Sequence, residues 1–208
     1  MARAFIFFAY PNVISGDNVW IAEKADAYSG ATPLALCNNG SFPTIDDNWS
    51  YFLGVIPGSM GETCKLAILF GAVLLIYTKM ASFRIMFSVV LGGLSMGWIF
   101  NLIGTTSMMQ IPAWQHLLMG GFLFGAVFMA TDPVSAAHTK QGKVIYGFLI
   151  GVVAILIRVL NKGYVEGMML AILLMNIFAP LIDYCVVQIH IKKREKRYLQ
   201  FAKKGKNE

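Results

Sequence analysis

The sequence predicts an all-α integral membrane protein, in which about five transmembrane helices follow an irregular extramembrane segment. Hydrophobic residues make up 57% of the 208 residues and charged residues only 13%. That balance leaves too few polar side chains to cover the surface of a soluble domain. Long apolar stretches recur along the chain, and most of them approach the roughly 20 residues that a helix needs to cross a bilayer. The chain is therefore predicted to cross a membrane several times.

Five apolar stretches account for the predicted helices. They cover residues 66–78, 85–104, 111–131, 144–160 and 167–191. The first is the weakest, because Lys65 and Lys79 enclose it, and both lysines must extend toward water if it crosses. A half-crossing by this stretch remains an open alternative.

The basic residues predict the orientation, since cytoplasmic loops are enriched in Lys and Arg. Lys79 and Arg84 follow the first stretch, Lys140 and Lys143 follow the third, and eight basic residues lie in the tail. We therefore expect three parts, which are an extracytoplasmic loop segment (1–64), a helical bundle (65–191) and a basic cytoplasmic tail (192–208).

The net charge of +6 comes largely from that tail. A basic segment beside a membrane more often contacts anionic lipid than nucleic acid, so we expect the lipid bilayer as a partner and no nucleic acid. The three cysteines, Cys37, Cys64 and Cys185, form no C-x-x-C pair. No disulfide framework and no metal site are predicted from them.

Acidic residues in the apolar stretches are candidates for an ion pathway, because a buried charge in a membrane is costly and usually functional. Asp183 follows Pro180 in the fifth stretch, and Asp132 closes the third stretch before Pro133. Each has a simpler alternative. Asp132 can cap a turn, and Asp183 can pair with a basic residue near the interface.

Four further polar residues lie in the stretches. Asn101 and Asn176 offer neutral oxygens, or they form ordinary hydrogen bonds between helices. His116 is expected to be a donor at the membrane interface, and Arg158 is expected to extend its side chain toward water. Three G-x-x-x-G pairs, Gly93 and Gly97, Gly121 and Gly125, and Gly147 and Gly151, predict close helix packing, with a bound cofactor as the less favoured explanation.

The segment before the bundle contains the run D-A-Y-S-G-A-T, from Asp26 to Thr32. This run resembles the D-x-x-S-G-A-T recognition motif of the transferase that joins FMN to a threonine through a phosphodiester bond. The resemblance implies covalent FMN on Thr32, with Asp26, Ser29, Gly30 and Ala31 forming the rest of the flavin site. It also implies the flavin transferase as a maturation partner.

Further blocks extend the resemblance over nearly the whole chain. They include Phe8-Ala9-Tyr10-Pro11, Ile56-Pro57-Gly58-Ser59-Met60-Gly61-Glu62-Thr63, Phe128-Met129-Ala130-Thr131-Asp132-Pro133 and Pro180-Leu181-Ile182-Asp183. In these blocks the chain resembles the family of the B subunit of the sodium-translocating NADH:quinone reductase. Members carry a first membrane half before the block that starts this chain.

The resemblance implies a subunit of a respiratory translocase in the bacterial inner membrane that is not active alone. FMN on Thr32, on the periplasmic side, would receive electrons from another subunit and pass them toward ubiquinone while sodium is exported. Asp132 and Asp183 match acidic positions associated with sodium transport. Riboflavin and ubiquinone sites belong to the full subunit, and no catalytic residue is expected here.

Three alternatives stay open from the sequence. The related D subunit of the Rnf ferredoxin:NAD complex shares the flavin motif. A channel or carrier without a redox cofactor would also fit the apolar stretches and their glycines. The third alternative is a mainly structural half that docks other subunits.

Overall fold

The structure is a computed structural model, and it describes residues 9, 34, 37, 52–54, 58, 61–161 and 166–204. The helices from residue 61 onward are, in chain order, α1 (Lys65–Tyr77), α2 (Phe83–Ile103), α3 (Ala113–Leu118), α4 (Phe122–Phe124), α5 (Lys140–Leu160) and α6 (Met168–Lys204). A 3-10 helix, Ser107–Gln110, precedes α3, and a π-helix, Gly125–Met129, continues α4.

Three of these helices, α2, α5 and α6, are long and apolar enough to cross a membrane. The prediction of an all-α membrane protein is confirmed, whereas the count of five spanning helices is not. Helix α1 has 13 residues, so it is only about 20 Å long at 1.5 Å per residue. It is shorter than the roughly 30 Å hydrocarbon core of a bilayer.

Helix α1 ends early because its C-terminus is closed by local bonds. The hydroxyl of Thr78 donates to the carbonyl oxygens of Leu74 at 3.0 Å and Leu75 at 3.2 Å. Lys79 then adopts a left-handed conformation with φ of 58°, which an L-residue cannot continue as a helix. Helix α2 begins four residues later, at Phe83.

The third apolar stretch does not form one helix. Helix α3 ends at Leu118, Gly120 takes a φ of +62°, and Gly121 lies before the first residue of α4. Glycine is the residue that tolerates this positive φ without a steric penalty. The stretch is therefore divided into α3 and the α4/π-helix segment, and residues 119–121 are called the break below.

Helices α2 and α5 are in close contact through glycines. A Cβ on Gly151 would overlap the carbonyl oxygen of Val89 and lie 2.6 Å from the backbone nitrogen of Gly93. A Cβ on Gly147 would lie 2.8 Å from the carbonyl oxygen of Ile85. Gly147 of α5 lies against Ile85 of α2, and Gly151, one turn later in α5, lies against Val89, one turn later in α2. The two helices therefore run parallel.

Helix α6 runs antiparallel to α5. Tyr146 Oη, in the first half of α5, donates to Asn176 Oδ1 on α6, and Thr139 before α5 bonds Asp183 further along α6. Consequently the N-termini of α2 and α5 lie at the same end of the bundle as the C-terminal part of α6. Arg84, Lys140, Lys143 and the basic residues after Ile191 belong to this end, which is called the basic end.

The G-x-x-x-G prediction holds for two pairs and is wrong for the third. Gly147 and Gly151 pack on α2, while a Cβ on Gly93 would lie 2.6 Å from the ring of Phe122 and one on Gly97 2.9 Å from Ala113 Cβ. Gly121 and Gly125, however, do not share a helical face, since Gly121 lies before α4. Gly121 belongs to the break itself, whereas Gly125 follows α4 and packs against Met168.

The predicted boundary between bundle and tail does not coincide with the end of a helix. Helix α6 continues from Met168 to Lys204, and the side chains from Lys192 to Gln200 are exposed. A 37-residue helix is about 55 Å long, so α6 extends well beyond a bilayer thickness. Its last turns carry the basic residues of the tail.

Candidate ion-pathway and flavin-site residues

Asp132 lies directly after the π-helix and caps the turn that follows it. Its Oδ2 accepts hydrogen bonds from Ser135 Oγ at 2.7 Å and from the Ser135 backbone nitrogen at 3.2 Å. Its Oδ1 accepts from the Val134 nitrogen at 3.4 Å. The hydrogen bond from the Ser135 side chain, aided by those from the backbone, holds the pKa of the Asp132 carboxyl below its ordinary value. Asp132 is thus a turn cap that stays ionised.

Asp183, on α6, uses both carboxylate oxygens to bind the residues that begin α5. Oδ2 accepts from the His138 nitrogen at 2.7 Å, and Oδ1 accepts from the Thr139 nitrogen at 3.1 Å and from Thr139 Oγ1 at 2.6 Å. The expected alternative of a basic partner is not what the structure shows, because the donors among the described residues are a hydroxyl and two backbone amides. Asp183 therefore joins α6 to the N-terminus of α5.

The two aspartates contact opposite ends of one connection, residues 131–139, between the π-helix and α5. Asp132 holds the start of this connection, and Asp183 holds its end. Both carboxylates keep some acceptor capacity, since an ionised carboxylate has about four lone-pair sites. The structure thus brings the two predicted ion-pathway residues to one loop at the basic end.

The π-helix beside this loop has wide hydrogen-bond spacing. The Ala130 nitrogen donates to the Gly125 carbonyl oxygen at 2.8 Å, which is the five-residue spacing of a π-helix. Thr131 Oγ1 donates to the Val127 carbonyl oxygen at 2.6 Å. Single π-turns inside helices are frequent at functional sites, and this one leads directly into Asp132.

The two asparagines have structural roles. Asn176 accepts the hydrogen bond from the buried Tyr146 hydroxyl, which links α5 to α6. The Asn101 amide, oriented by its neighbours, donates to the carbonyl oxygens of Ile111 at 2.6 Å and Met109 at 2.7 Å and accepts from the Ala113 nitrogen at 3.1 Å. It joins the end of α2 to the start of α3.

The predicted roles of His116 and Arg158 are wrong. Both side chains are buried, with 0% and 2% of their surface exposed, so neither extends to water. Arg158 instead turns into the bundle, where Nη1 donates to the His116 carbonyl oxygen and Nη2 to that of Met119 at 3.3 Å. These carbonyls have lost helical partners at the break, and the guanidinium satisfies them.

Lys65 is a second buried cation at the break, and the sequence interpretation missed its role. Only 1% of its surface is exposed. Its Nζ donates to the Glu62 carbonyl oxygen and, at 3.3 Å, to that of Gly120. The adjacent glycines 120 and 121 were the available signal, because a glycine pair in an apolar stretch can mark a helix break that needs donors.

The residues of the predicted flavin site, Asp26, Ser29, Gly30, Ala31 and Thr32, lie outside the described residues. The nearest described neighbours in the chain are Leu34 and Cys37, which are 2% and 1% exposed. They pack with Met108, Ile111 and Met119 in one apolar cluster. The chain just after Thr32 is thus packed against the break.

Metal ligation by clustered side chains is not observed. Across the described ranges, no group of three or more His, Cys, Asp or Glu side chains could hold a metal ion. That observation covers Asp132 and Asp183, which do not form such a group.

Comparison with known proteins identifies the family of the chain. A family model described as NQR2, RnfD, RnfE matches residues 1–192. The chain belongs to the NQR2, RnfD, RnfE family. Three helices of spanning length agree with this membership, and the protein is a multi-pass membrane protein.

Several relatives of this chain are named as B subunits of one enzyme. The chain is 52% identical over 200 residues to the B subunit of the Na(+)-translocating NADH-quinone reductase of Chromohalobacter salexigens, covering 94% of this chain and 48% of that protein. It is 52% identical to the B subunit from Yersinia pestis, covering 94% and 49% of the two chains. For the B subunit from Haemophilus influenzae strain PittEE the identity is 50%, with the same coverage. The chain spans about half the length of the curated relatives that it matches.

Proposed function

We propose that this chain is the electron-carrying part of the B subunit of a sodium-translocating NADH:ubiquinone reductase, with FMN attached to Thr32. The observation that carries the proposal is the roughly 50% identity to proteins of that name over 94% of the chain. The D-A-Y-S-G-A-T run supplies the acceptor hydroxyl. When bound, FMN would accept and release electrons one or two at a time.

The described residues fit such a group at the break. Leu34 and Cys37 are packed there, and two buried cations, Lys65 and Arg158, lie beside them. An FMN phosphodiester carries a negative charge, which buried cations stabilise. The chain's own contribution is to hold the flavin tether against the bundle and to shield it from water.

In this proposal the segment with Thr32 faces the periplasm and the basic end faces the cytoplasm of a bacterial inner membrane. The parallel α2 and α5 and the antiparallel α6 support it, because they bring the basic residues to one end. Electrons would come from another subunit of the complex and pass toward ubiquinone, while sodium moves in the vicinity of Asp132 and Asp183.

Flavin attachment is tested by fluorescence in a denaturing gel, with the flavin transferase co-expressed. The Thr32→Ala variant should lose the fluorescent band, whereas Thr44→Ala, which removes a hydroxyl from the same segment but outside the motif, should keep it. A fluorescent band in Thr32→Ala would move the attachment to another residue. An unmodified mass of the wild-type chain would favour a carrier without a redox cofactor.

Sodium movement is tested by substitution of Asp132 in the complete complex. Asp132→Asn keeps an oxygen that can accept from Ser135, so the turn is retained while the charge is lost. If the charge serves sodium, Asp132→Asn should reduce sodium uptake without loss of complex. Uptake at the wild-type level in Asp132→Asn would remove this residue from the ion pathway.

The D subunit of an Rnf-type ferredoxin:NAD oxidoreductase is the second candidate, because the matching family model includes RnfD. The electron donor that the complex uses distinguishes the two candidate functions. Membranes that contain the chain should reduce quinone with NADH under the first proposal, and they should instead exchange electrons between ferredoxin and NAD under the second.

A further inference from the structure

The inference concerns the break at residues 119–121 and its two buried cations, and it rests on the proposed flavin attachment. Lys65 and Arg158 enter the break from different helices, α1 and α5. Together they donate to the carbonyl oxygens of Gly120, His116 and Met119. Two cations that are 1% and 2% exposed would be costly to bury without nearby negative charge.

Part of the required negative charge comes from two glutamates. A Cβ built on Gly120 would lie 3.7 Å from Glu166 Oε1, and one built on Gly121 would contact Glu62 Oε2. Both glutamates retain access to solvent, since Glu62 is partly exposed and Glu166 is exposed. Their charge is therefore better hydrated, and less concentrated on the cations, than that of a buried partner.

The guanidinium of Arg158 has donors to spare. A guanidinium carries five N–H donors, and the carbonyls of His116 and Met119 each receive one. Its buried Nε has no hydrogen-bond partner among the described residues. A buried donor without an acceptor is destabilising, so this site favours a further acceptor.

The segment after Thr32 lies against the same point. A Cβ on Gly120 would be 3.2 Å from Leu34 Cδ2 and 3.5 Å from Arg158 Nη2, so Leu34 and the guanidinium are close neighbours. Thr32 precedes Leu34 by two residues, and two peptide units span at most about 7.6 Å. A group attached to the Thr32 hydroxyl is therefore tethered two residues from the leucine that packs beside Arg158.

We propose that Arg158 and Lys65 form a buried cationic site that holds the phosphodiester linking the flavin to Thr32. The phosphodiester is the anionic part of the flavin nearest the tether, and a guanidinium matches the geometry of phosphate oxygens. In the low dielectric of the bundle this pairing is strong. It restrains the flavin beside the break and balances its charge.

The midpoint potential of the Thr32-linked flavin tests the proposal in the assembled reductase complex. Each complex is titrated beside its Thr32→Ala counterpart, which lacks this flavin. The potential of the flavin is then read from the difference between the two titration curves. Arg158→Gln and Lys65→Gln should each make the potential more negative, because the phosphodiester charge is then unbalanced and opposes the added electrons. Arg158→Lys, which keeps the charge, should restore much of the wild-type potential.

Arg84→Gln is the matched control, since it makes the same substitution at an exposed residue of the basic end. Its potential should equal that of the wild type. The proposal is overturned if Arg158→Gln and Lys65→Gln carry the flavin at the potential of Arg84→Gln. It is also overturned if both complexes assemble but take up no flavin, because the cations would then serve attachment itself.

Two further comparisons distinguish failure of the cationic site from failure of flavin attachment. If Arg158→Gln fails to assemble, Lys65→Gln and Arg158→Lys provide the comparison. A wild-type chain without fluorescence in a denaturing gel would refute flavin attachment to Thr32, which is the proposed function itself. A fluorescent wild type with unshifted variants would refute the cationic site alone.

Discussion

Asp183 and Thr139 join the interior of α6 to the start of α5, with Thr139 Oγ1 donating to Asp183 Oδ1 at 2.6 Å. The same hydroxyl oxygen accepts from the Gly142 nitrogen at 3.0 Å and so caps α5. One hydroxyl thus links a helix cap to a carboxylate that the sequence assigned to ion passage. Because Asp183 uses both oxygens as acceptors, Asp183→Asn would place an amide NH₂ against a donor, and it changes structure as well as charge.

Thr139→Val should therefore lower stability while leaving the Asp183 charge in place. Loss of a threonine cap costs about 1 kcal/mol, and the carboxylate also loses a donor. Thermal unfolding in detergent should show a lower midpoint for Thr139→Val than for Thr78→Val, whose hydroxyl bonds only local carbonyls on an exposed turn. Equal midpoints would show that the link contributes nothing to stability. Retained sodium uptake in Thr139→Val would show that uptake does not depend on the cap.

The stability contributed by the Asp132 charge should depend on pH. Its pKa is lower in the folded protein than its ordinary value of 3.8, so the contribution is present above that ordinary value and is lost as the pH falls through the folded pKa. Unfolding midpoints of wild type and Asp132→Asn should differ at neutral pH and converge in acid. A difference that grows toward acid would contradict the assignment. Adding Ser135→Ala to both proteins should reduce the difference between their unfolding midpoints at neutral pH, because Ser135 Oγ is the main group that lowers the pKa of Asp132.

Gly151→Ala should weaken the contact between α2 and α5. The added methyl group would overlap the Val89 carbonyl oxygen, and relieving such overpacking in a core costs about 1–3 kcal/mol. Gly71→Ala is the matched control, since its methyl group would meet the ring of Phe128 at 2.7 Å, and that ring is 40% exposed and can turn aside. The thermal midpoint should fall for Gly151→Ala and change little for Gly71→Ala. The reverse order would argue against close α2 and α5 packing.

Tyr146→Phe should remove the hydrogen bond from α5 to Asn176 on α6. Hydrogen bonds between membrane helices contribute about 0.6 kcal/mol on average, so the loss should be small but measurable by unfolding in detergent. Tyr184→Phe makes the same change at a side chain that is 61% exposed and should have no effect. Equal stabilities for the two variants would show that the Tyr146 hydroxyl contributes nothing.

The sequence predicts the long helices well because they follow from composition. The stretches 85–104, 144–160 and 167–191 correspond to α2, α5 and α6, since continuous apolar side chains between charged residues favour a spanning helix. The sequence predicts helix boundaries less well where a single backbone angle decides whether a helix continues. The stretch 111–131 is also apolar enough to be predicted as a helix, yet Gly120 at φ +62° divides it.

The roles of the candidate site residues are likewise predictable only where they depend on neighbours in the sequence. The turn-capping alternative for Asp132 follows from local sequence, because Pro133 and Ser135 are its close neighbours, and the structure shows that cap. The role of Arg158 does not follow from local sequence. Its position near the end of α5 suggests contact with water, whereas the acceptors at His116 and Met119 become its neighbours only in the folded bundle.

The backbone contact between α2 and α5 also limits how the bundle can change shape. A methyl group on Gly92, Gly147 or Gly151 would overlap atoms of the facing helix, so no water-filled passage fits along this seam and neither helix can rotate against the other without separating. Helices α2 and α5 therefore form one rigid pair. Any rearrangement of the described bundle is therefore expected to move α2 and α5 together as one unit.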